Sequence, residues 1–133
     1  MSNAKITGIH HLALKCQGID EFNKAVYFYR DILGLPVARS WGEGNGSGIM
    51  LDTGAGLLEI FANATDKLGM GSIRHFALAT QNVDACIEAV RAAGYTVTAE
   101  PTDICINSTP PYPARIAFCI GPVGEEIEFF HVK

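Results

Sequence analysis

The sequence predicts an α+β fold made of two tandem βαβββ modules, at about residues 5–63 and 72–132. The first observation is an internal repeat, because residues 9–14 read Ile-His-His-Leu-Ala-Leu and residues 73–78 read Ile-Arg-His-Phe-Ala-Leu. Both copies have the alternation of a β-strand, and a stretch with helical periodicity follows each of them. Each module then ends in a strand that carries a lone glutamate between apolar residues, Glu59 in the first and Glu128 in the second.

Length and composition limit the protein class. With 133 residues, the chain fits one domain spanning residues 1–133 and can bury a substantial core. Its 48% hydrophobic and 18% charged content is typical of a globular protein. The net charge of −4 argues against nucleic acid or anionic membrane as partners. No apolar run approaches the roughly 20 residues that would span a bilayer.

In the first module, a strand is expected over residues 6–16. A helix follows, with Asp20 as its N-cap and Gly34 as its stop. Strands over 35–41, 49–52 and 57–62 complete the module, with a loop at 42–48 and a tight turn at 53–56. Residues 63–71 read as a linker because they are rich in turn formers and lack an apolar period.

The second module repeats this order. A strand at 73–80 precedes a helix that begins at Asp84 and stops at Gly94, and another strand covers 95–99. Residues 101–113 contain four prolines and are expected to form a long irregular connection. Strands at 114–120 and 125–131 flank a turn at 121–124.

The cysteine pattern indicates free thiols. The four cysteines form no CxxC pair, and most lie inside apolar strand or helix runs, as buried free thiols do. The N-terminal residues lack the apolar core of a signal peptide. A cytoplasmic location is therefore expected.

Strand alternation places two polar side chains of each module on the same face of its sheet. His11 lies opposite Leu12 in its strand, so the leucine faces the helix and the histidine faces the other side, which we call the open face. The same alternation places Glu59, His75 and Glu128 on open faces. A carboxylate in an apolar strand is costly to bury without a partner. Two such carboxylates, each matched to a histidine, predict one divalent metal site.

A simpler interpretation of each residue taken alone is also open. Any one of these side chains could be an ordinary polar residue at a sheet edge, because core histidines often only make hydrogen bonds. The recurrence of the pattern in both modules favours the metal site. His10 corresponds to Arg74 in the repeat and is interpreted as structural.

At the level of motifs, the chain resembles the vicinal oxygen chelate superfamily, and within it glyoxalase I-like proteins (the lactoylglutathione lyase, bleomycin resistance and dioxygenase family). The motifs are residues 11–14, 25–35, 58–61, 75–78 and 121–129, which include Phe-Tyr-x-x-x-Leu-Gly-Leu and Gly-Pro-x-Gly-x-x-Ile-Glu. The resemblance implies two βαβββ modules whose sheets curl around a metal-binding cleft. It also implies a homodimer, often with the cleft at the subunit interface.

The resemblance further implies an enzyme with one divalent ion held by His11, Glu59, His75 and Glu128. Two imidazoles and two carboxylates suit Ni²⁺ or Zn²⁺ first, with Co²⁺, Mn²⁺ or Fe²⁺ also compatible. In a glyoxalase I-type lyase or isomerase, Glu128 would be the catalytic base and Glu59 its symmetrical counterpart. The substrate would be a small carbonyl adduct such as the methylglyoxal–glutathione hemithioacetal, converted through a metal-stabilised enediolate.

Three further residues are candidates for contact with a small-molecule substrate of this kind, possibly a glutathione adduct. Lys15 lies near the place where relatives contact a glutathione carboxylate, and Asn63 lies four residues after Glu59, where some glyoxalases have an asparagine that contacts glutathione. Arg115 is expected to face the cleft. Their alternative role is to keep strand ends solvated. Alternative functions are an acyl-CoA epimerase, a thiol transferase, a dioxygenase or a non-catalytic small-molecule binding module.

Overall fold

A computed structural model describes residues 5 and 7–133 of the chain. It contains two four-stranded mixed sheets, each with one α-helix on one of its faces, so the predicted α+β fold with two βαβββ modules is confirmed. Within the described residues, the strands of the two modules form two separate sheets.

Both modules have the same element order and strand order. The elements of the first module are β1 (His11–Lys15), α1 (Gly18–Val26), β2 (Val37–Trp41), β3 (Gly48–Asp52) and β4 (Leu57–Phe61). Those of the second are β5 (His75–Ala79), α2 (Val83–Ala92), β6 (Val97–Ile106), β7 (Tyr112–Ile120) and β8 (Glu126–Val132). The sheet orders are β1-β4-β3-β2 and β5-β8-β7-β6, with β1 parallel to β4 and β5 parallel to β8. The predicted repeat is therefore present in the topology.

The helix starts differ from the prediction. Gln17, not Asp20, is the N-cap of α1, and Asp20 lies in the first turn, where its charge favours the positive end of the helix. A π-helix over Tyr27–Ile32 continues α1, and Gly34 follows with φ +81°. In α2, Asn82 caps the helix by accepting a hydrogen bond of 3.0 Å from the Ala85 N–H, so Asp84 is again a first-turn residue.

The prediction of a long irregular connection over 101–113 is wrong. β6 continues through Pro101 to Ile106 and β7 starts at Tyr112, which leaves residues 107–111 as the connection. β6 is an edge strand, and its pairing with β7 shifts register between Ala99 and Thr102. Pro101 lies within this shift, where the lack of a backbone N–H does not break a regular ladder of hydrogen bonds. The predicted first strand began at residue 6, which lies outside the described residues, as do residues 1–4; β1 begins at His11.

The two modules pack against each other through their helix-bearing faces. Buried residues of both modules join in one core, which includes Leu58 and Ile60 of β4 and Ile127 and Phe129 of β8. The aromatic ring of Phe28 lies edge-on to that of Tyr95, with centroids 4.8 Å apart. On β1 and β5, by contrast, every open-face residue is exposed. The open faces of the two sheets therefore lie outside the shared core.

A buried hydrogen bond joins the modules. Tyr29 of the first module is fully buried, and its hydroxyl donates to Glu125 Oε2 of the second module over 2.6 Å. The Val123 N–H donates to the other carboxylate oxygen over 2.9 Å. Burial raises the pKa of Glu125 above its usual value, and these hydrogen bonds only partly oppose the shift.

All four cysteines are free, as predicted. Cys16 and Cys119 are buried, and burial raises the pKa of each thiol to about 12. Among the described residues, no helix is long and apolar enough to cross a membrane.

Replacing Glu125 tests the link between the modules. A carboxyl whose pKa is raised by folding binds its proton more tightly in the folded chain. Its contribution to stability is therefore largest below the ordinary value of 4.5 and is lost as the pH rises through the raised pKa. We expect Glu125→Gln to remove this loss, so the difference in unfolding free energy between variant and wild type should shift in favour of the variant from pH 4 to 8.

Urea unfolding at a series of pH values measures this difference, and Glu43→Gln, an exposed glutamate, is the matched control. Parallel stability curves for wild type and Glu125→Gln would show that folding does not raise the pKa of Glu125.

Candidate metal centre

The first half of the candidate centre lies on the open face of the first sheet. In the parallel pairing of β1 with β4, Ala13 is opposite Glu59, which brings the neighbouring His11 over the glutamate. The distance from His11 Nε2 to Glu59 Oε1 is 3.3 Å. Glu59 is buried at 9% exposure, while the His11 side chain is 39% exposed. The half-exposed His11 imidazole therefore lies between the Glu59 carboxylate and solvent.

The second half repeats this geometry. Ala77 is opposite Glu128 in the pairing of β5 with β8, and His75 Nε2 lies 3.2 Å from Glu128 Oε1. Glu128 is also 9% exposed. The ring of Phe118 lies edge-on to that of His75, with centroids 5.4 Å apart.

The spacing of each pair fits two adjacent ligands of one divalent ion. Ligand bonds of about 2.1 Å at right angles place neighbouring donor atoms about 3 Å apart. The two N–O distances of 3.3 and 3.2 Å lie close to this separation. The donor set of imidazole nitrogen and carboxylate oxygen is also one that such ions accept.

The single chain nevertheless does not bring all four predicted ligands together. Within residues 5 and 7–133, no three histidine, cysteine, aspartate or glutamate side chains are grouped so as to hold a metal ion. The physical reason is the packing of the modules through their helix-bearing faces, which leaves the two open faces apart. His11 with Glu59, and His75 with Glu128, therefore form two half-sites.

A second histidine, interpreted as purely structural from the sequence, contacts the first half-site. His10 Nδ1 lies 2.9 Å from His11 Nδ1. If His11 Nδ1–H donates to His10, then His11 Nε2 carries no proton and is free to bind a metal ion. In the second module, Glu126 Oε1 lies 3.9 Å from His75 Nδ1 and occupies the comparable position. The adjacent histidines and the Glu-x-Glu pattern of β8 were the available sequence signals.

The three predicted substrate residues have different locations. Lys15 is exposed and pairs with Phe61 across β1 and β4, on the same open face as His11. Asn63 is exposed just beyond β4, where it forms an isolated bridge with Gln17.

The prediction that Arg115 faces the cleft is wrong. Its guanidinium forms ion pairs with Asp84 of α2 at 2.8 Å and with Asp103 at 3.1 Å. Arg115 shares its face of β7 with Ala117 and Cys119, which belong to the core beneath α2. Hydrogen bonds from Arg115 also lower the pKa of Asp84.

Two solved structures resemble this chain closely in fold. Lactoylglutathione lyase from Agrobacterium tumefaciens superposes with a TM-score of 0.64 at 17% identity, covering 96% of each chain. A mutant of the fosfomycin resistance protein FosX from Listeria monocytogenes, in complex with Mn(II) and 1S,2S-dihydroxypropylphosphonic acid, gives a TM-score of 0.69 at 18% identity. That match covers 93% of this chain and 91% of FosX. At these identities, the likeness establishes the fold alone.

A sequence relative is the ATP-dependent 6-phosphofructokinase subunit beta of Candida albicans, which is 29% identical over 144 residues. The match covers 93% of this chain but 14% of that protein. The similarity is thus to one segment of a much longer polypeptide.

The family model of the Glyoxalase/Bleomycin resistance protein/Dioxygenase superfamily matches residues 8–129, which include both half-sites. The two mixed sheets and their βαβββ order agree with this assignment. The chain therefore belongs to the Glyoxalase/Bleomycin resistance protein/Dioxygenase superfamily.

Proposed function

We propose that the protein is a divalent-metal-dependent enzyme of glyoxalase I type. It would move a proton between adjacent carbons of a small carbonyl adduct such as the methylglyoxal–glutathione hemithioacetal. The observation that carries the proposal is the matched pair of half-sites. His11 with Glu59 and His75 with Glu128 have N–O distances of 3.3 and 3.2 Å at equivalent positions of the two modules.

Two copies of the chain would complete the site. Because one chain holds its two half-sites on separate open faces, the first half-site would meet the second half-site of another copy. A two-fold symmetric dimer pairs both combinations at once and so forms two complete four-ligand sites. The proposal therefore includes a homodimer with its sites at the interface.

Exposed apolar side chains on the open faces support this assembly. Trp41 pairs with Gly48, which pairs with Phe61, so the indole lies on the open face of the first sheet. In the second sheet, Tyr112 stacks on Phe130 of the open face. Trp41 is 38% and Tyr112 is 42% exposed in the single chain. Aromatic residues of this kind are enriched in protein interfaces and ligand sites.

The residues that would hold the ion are His11, Glu59, His75 and Glu128. When bound there, a divalent ion such as Ni²⁺ or Zn²⁺ would polarise adjacent substrate oxygens as a Lewis acid. The imidazoles would bind through Nε2, and a hydrogen bond from the His11 Nδ1–H to His10 would leave this atom unprotonated.

Glu128 would act as the catalytic base. Its carboxylate lies on the open face of β8 beside the His75 imidazole, and the residue is only 9% exposed. The Glu128 carboxylate would take the proton from the carbon next to the substrate carbonyl and return it to the neighbouring carbon. Glu59 occupies the equivalent position of the first module and would serve the opposite side of the substrate. Glu128 alone would thus carry out both transfers of the carbon-bound proton.

Replacing the base tests the function directly. Glu128→Gln should lower the rate of lactoylglutathione formation by at least about 10²-fold, since an amide cannot accept the proton. Glu88→Gln, an exposed glutamate on α2, is the matched control and should keep wild-type activity. The assay uses protein loaded with Ni²⁺ and, separately, with Zn²⁺, and circular dichroism checks the fold.

Retained activity in Glu128→Gln would exclude its role as the base. Stoichiometric metal binding by the wild type without isomerase activity would instead favour another metal-dependent enzyme of the superfamily. Failure of the wild type to bind either metal would favour a non-catalytic binding module.

A second prediction concerns His10. Removing the acceptor of the His11 Nδ1–H should weaken metal binding about 10-fold, as is typical for residues that orient a metal ligand. We expect this effect for His10→Phe in calorimetric titrations with Ni²⁺, and partial recovery for His10→Gln, whose amide oxygen can accept the hydrogen bond.

Arg74→Ala is the control, since Arg74 is the sequence counterpart of His10 in the repeat and its guanidinium donates to the Gly71 carbonyl over 3.5 Å. Equal Ni²⁺ affinities for wild type and His10→Phe would rule out the orienting role.

A further inference from the structure

Besides Lys15, the open face of the first sheet carries a second cation, Arg39. Simple strand alternation does not assign Arg39 to this face. The pairing of β2 with β3 shifts register between Val37 and Arg39, after which Arg39 is opposite Met50. Met50 is opposite Glu59 in the next pair of strands. Side chains of directly opposed residues lie on the same face of a sheet, so Arg39 shares the open face with Glu59. With strands about 4.8 Å apart, its Cα lies about 10 Å from that of Glu59.

The guanidinium of Arg39 is largely free to bind a ligand. Its Nη1 donates a hydrogen bond to Met50 Sδ over 3.0 Å, and a thioether is a weak acceptor. Within the described part of the chain, Arg30, Arg91 and Arg115 form ion pairs with carboxylates, whereas Arg39 and Arg74 do not. Lys15 on the same face also forms none there. The open face of the first sheet therefore carries two cations, Lys15 and Arg39, whose charges no carboxylate of the described chain neutralises in an ion pair.

An aromatic surface adjoins this cation. The Trp41 ring covers Gly48 so closely that a Cβ on Gly48 would overlap it, and it lies 6.1 Å from the Phe61 ring in an edge-on arrangement. Lys15, Phe61, Gly48 and Trp41 thus form one row across the sheet, next to the row that contains Glu59 and Arg39. This surface places cationic groups and flat apolar groups side by side.

The open face of the second sheet has a different character. Its described side chains around His75 and Glu128 include Phe118, Phe130 and Tyr112, and no lysine or arginine of residues 75–132 lies on this face. The two halves of a completed site would therefore differ in charge, with the cations on the first half alone.

We propose that Arg39 binds an anionic group of the substrate at a distance from the reacting carbons, with Trp41 packed against the part of the substrate between them. This inference rests on the proposed function for the location of the reacting carbons, and it specifies the substrate as a carbonyl adduct that carries a carboxylate or a phosphate-like group. Arginine suits both groups because its planar guanidinium donates two parallel hydrogen bonds.

Equilibrium binding tests the proposal independently of catalysis. Trp41 is the only tryptophan of the chain, so its fluorescence reports ligands that bind next to Arg39. The probes are S-methylglutathione, its diethyl ester and phenylphosphonate, titrated into metal-loaded wild type, Arg39→Met, Arg39→Lys and the control Lys24→Met, which alters an exposed cation on α1.

We expect wild type and Lys24→Met to bind at least one anionic probe about 10-fold or more tightly than Arg39→Met does, with Arg39→Lys in between. Preference for S-methylglutathione over its diester would identify a carboxylate as the anion, and preference for phenylphosphonate would identify a phosphate-like group.

Equal affinities of wild type and Arg39→Met, or no binding of any anionic probe by the wild type, would overturn the proposal. Anion binding that depends on Arg39 without isomerase activity would support the proposal and contradict the glyoxalase function. Isomerase activity with an unchanged KM in Arg39→Met would contradict the proposal and leave that function intact.

Discussion

The packing of the two sheets through their helix-bearing faces determines the rest of the structure. Apolar residues on those faces, including the Phe28–Tyr95 contact, exclude water from a core shared by both modules. Because those faces are buried against each other, the open face of one sheet does not pack against the open face of the other within the same chain. The Tyr29–Glu125 hydrogen bond fixes this arrangement at a buried point of contact between the modules.

The two buried carboxylates give the open faces their chemical character. An ionised glutamate in an apolar strand loses hydration, and its neighbouring imidazole replaces only part of that loss. Each His–Glu pair therefore has capacity left for a further positive charge. The duplication of the module provides two such pairs with nearly identical spacing. In the proposed dimer, a divalent ion would satisfy both pairs at once.

Much of this could be predicted from the sequence because strand alternation assigns side chains to faces. It placed His11 and Glu59 correctly on the face opposite Leu12 and Leu58, and the internal repeat extended the same assignment to the second module. Alternation does not determine where a face points relative to another sheet. For that reason it predicted four ligands of one site without determining whether one chain or two copies would bring them together.

Other differences also have local physical causes. Arg115 lies on the same face of β7 as Ala117, which packs under α2. Ion pairs with the carboxylates of Asp84 and Asp103 hold the Arg115 side chain on that face. The register shift in β2 interrupts simple alternation and conceals the location of Arg39. Pro101 suggested an irregular segment, but an edge strand tolerates the missing N–H. The contact between His10 and His11 depends on side-chain orientation, which the sequence pattern does not specify.

Complementation between inactive variants tests most directly whether two copies share each site. His11→Ala removes a ligand from the first half-site and His75→Ala removes one from the second, so each variant alone should lack full sites. In a mixed dimer, the intact first half of one chain would meet the intact second half of the other and form one complete site of two. Unfolding and refolding an equimolar mixture should then restore about a quarter of wild-type activity and high-affinity metal binding, since about half of the dimers are mixed. Absence of any recovery, with mixed dimers demonstrated by mass spectrometry, would contradict the shared site.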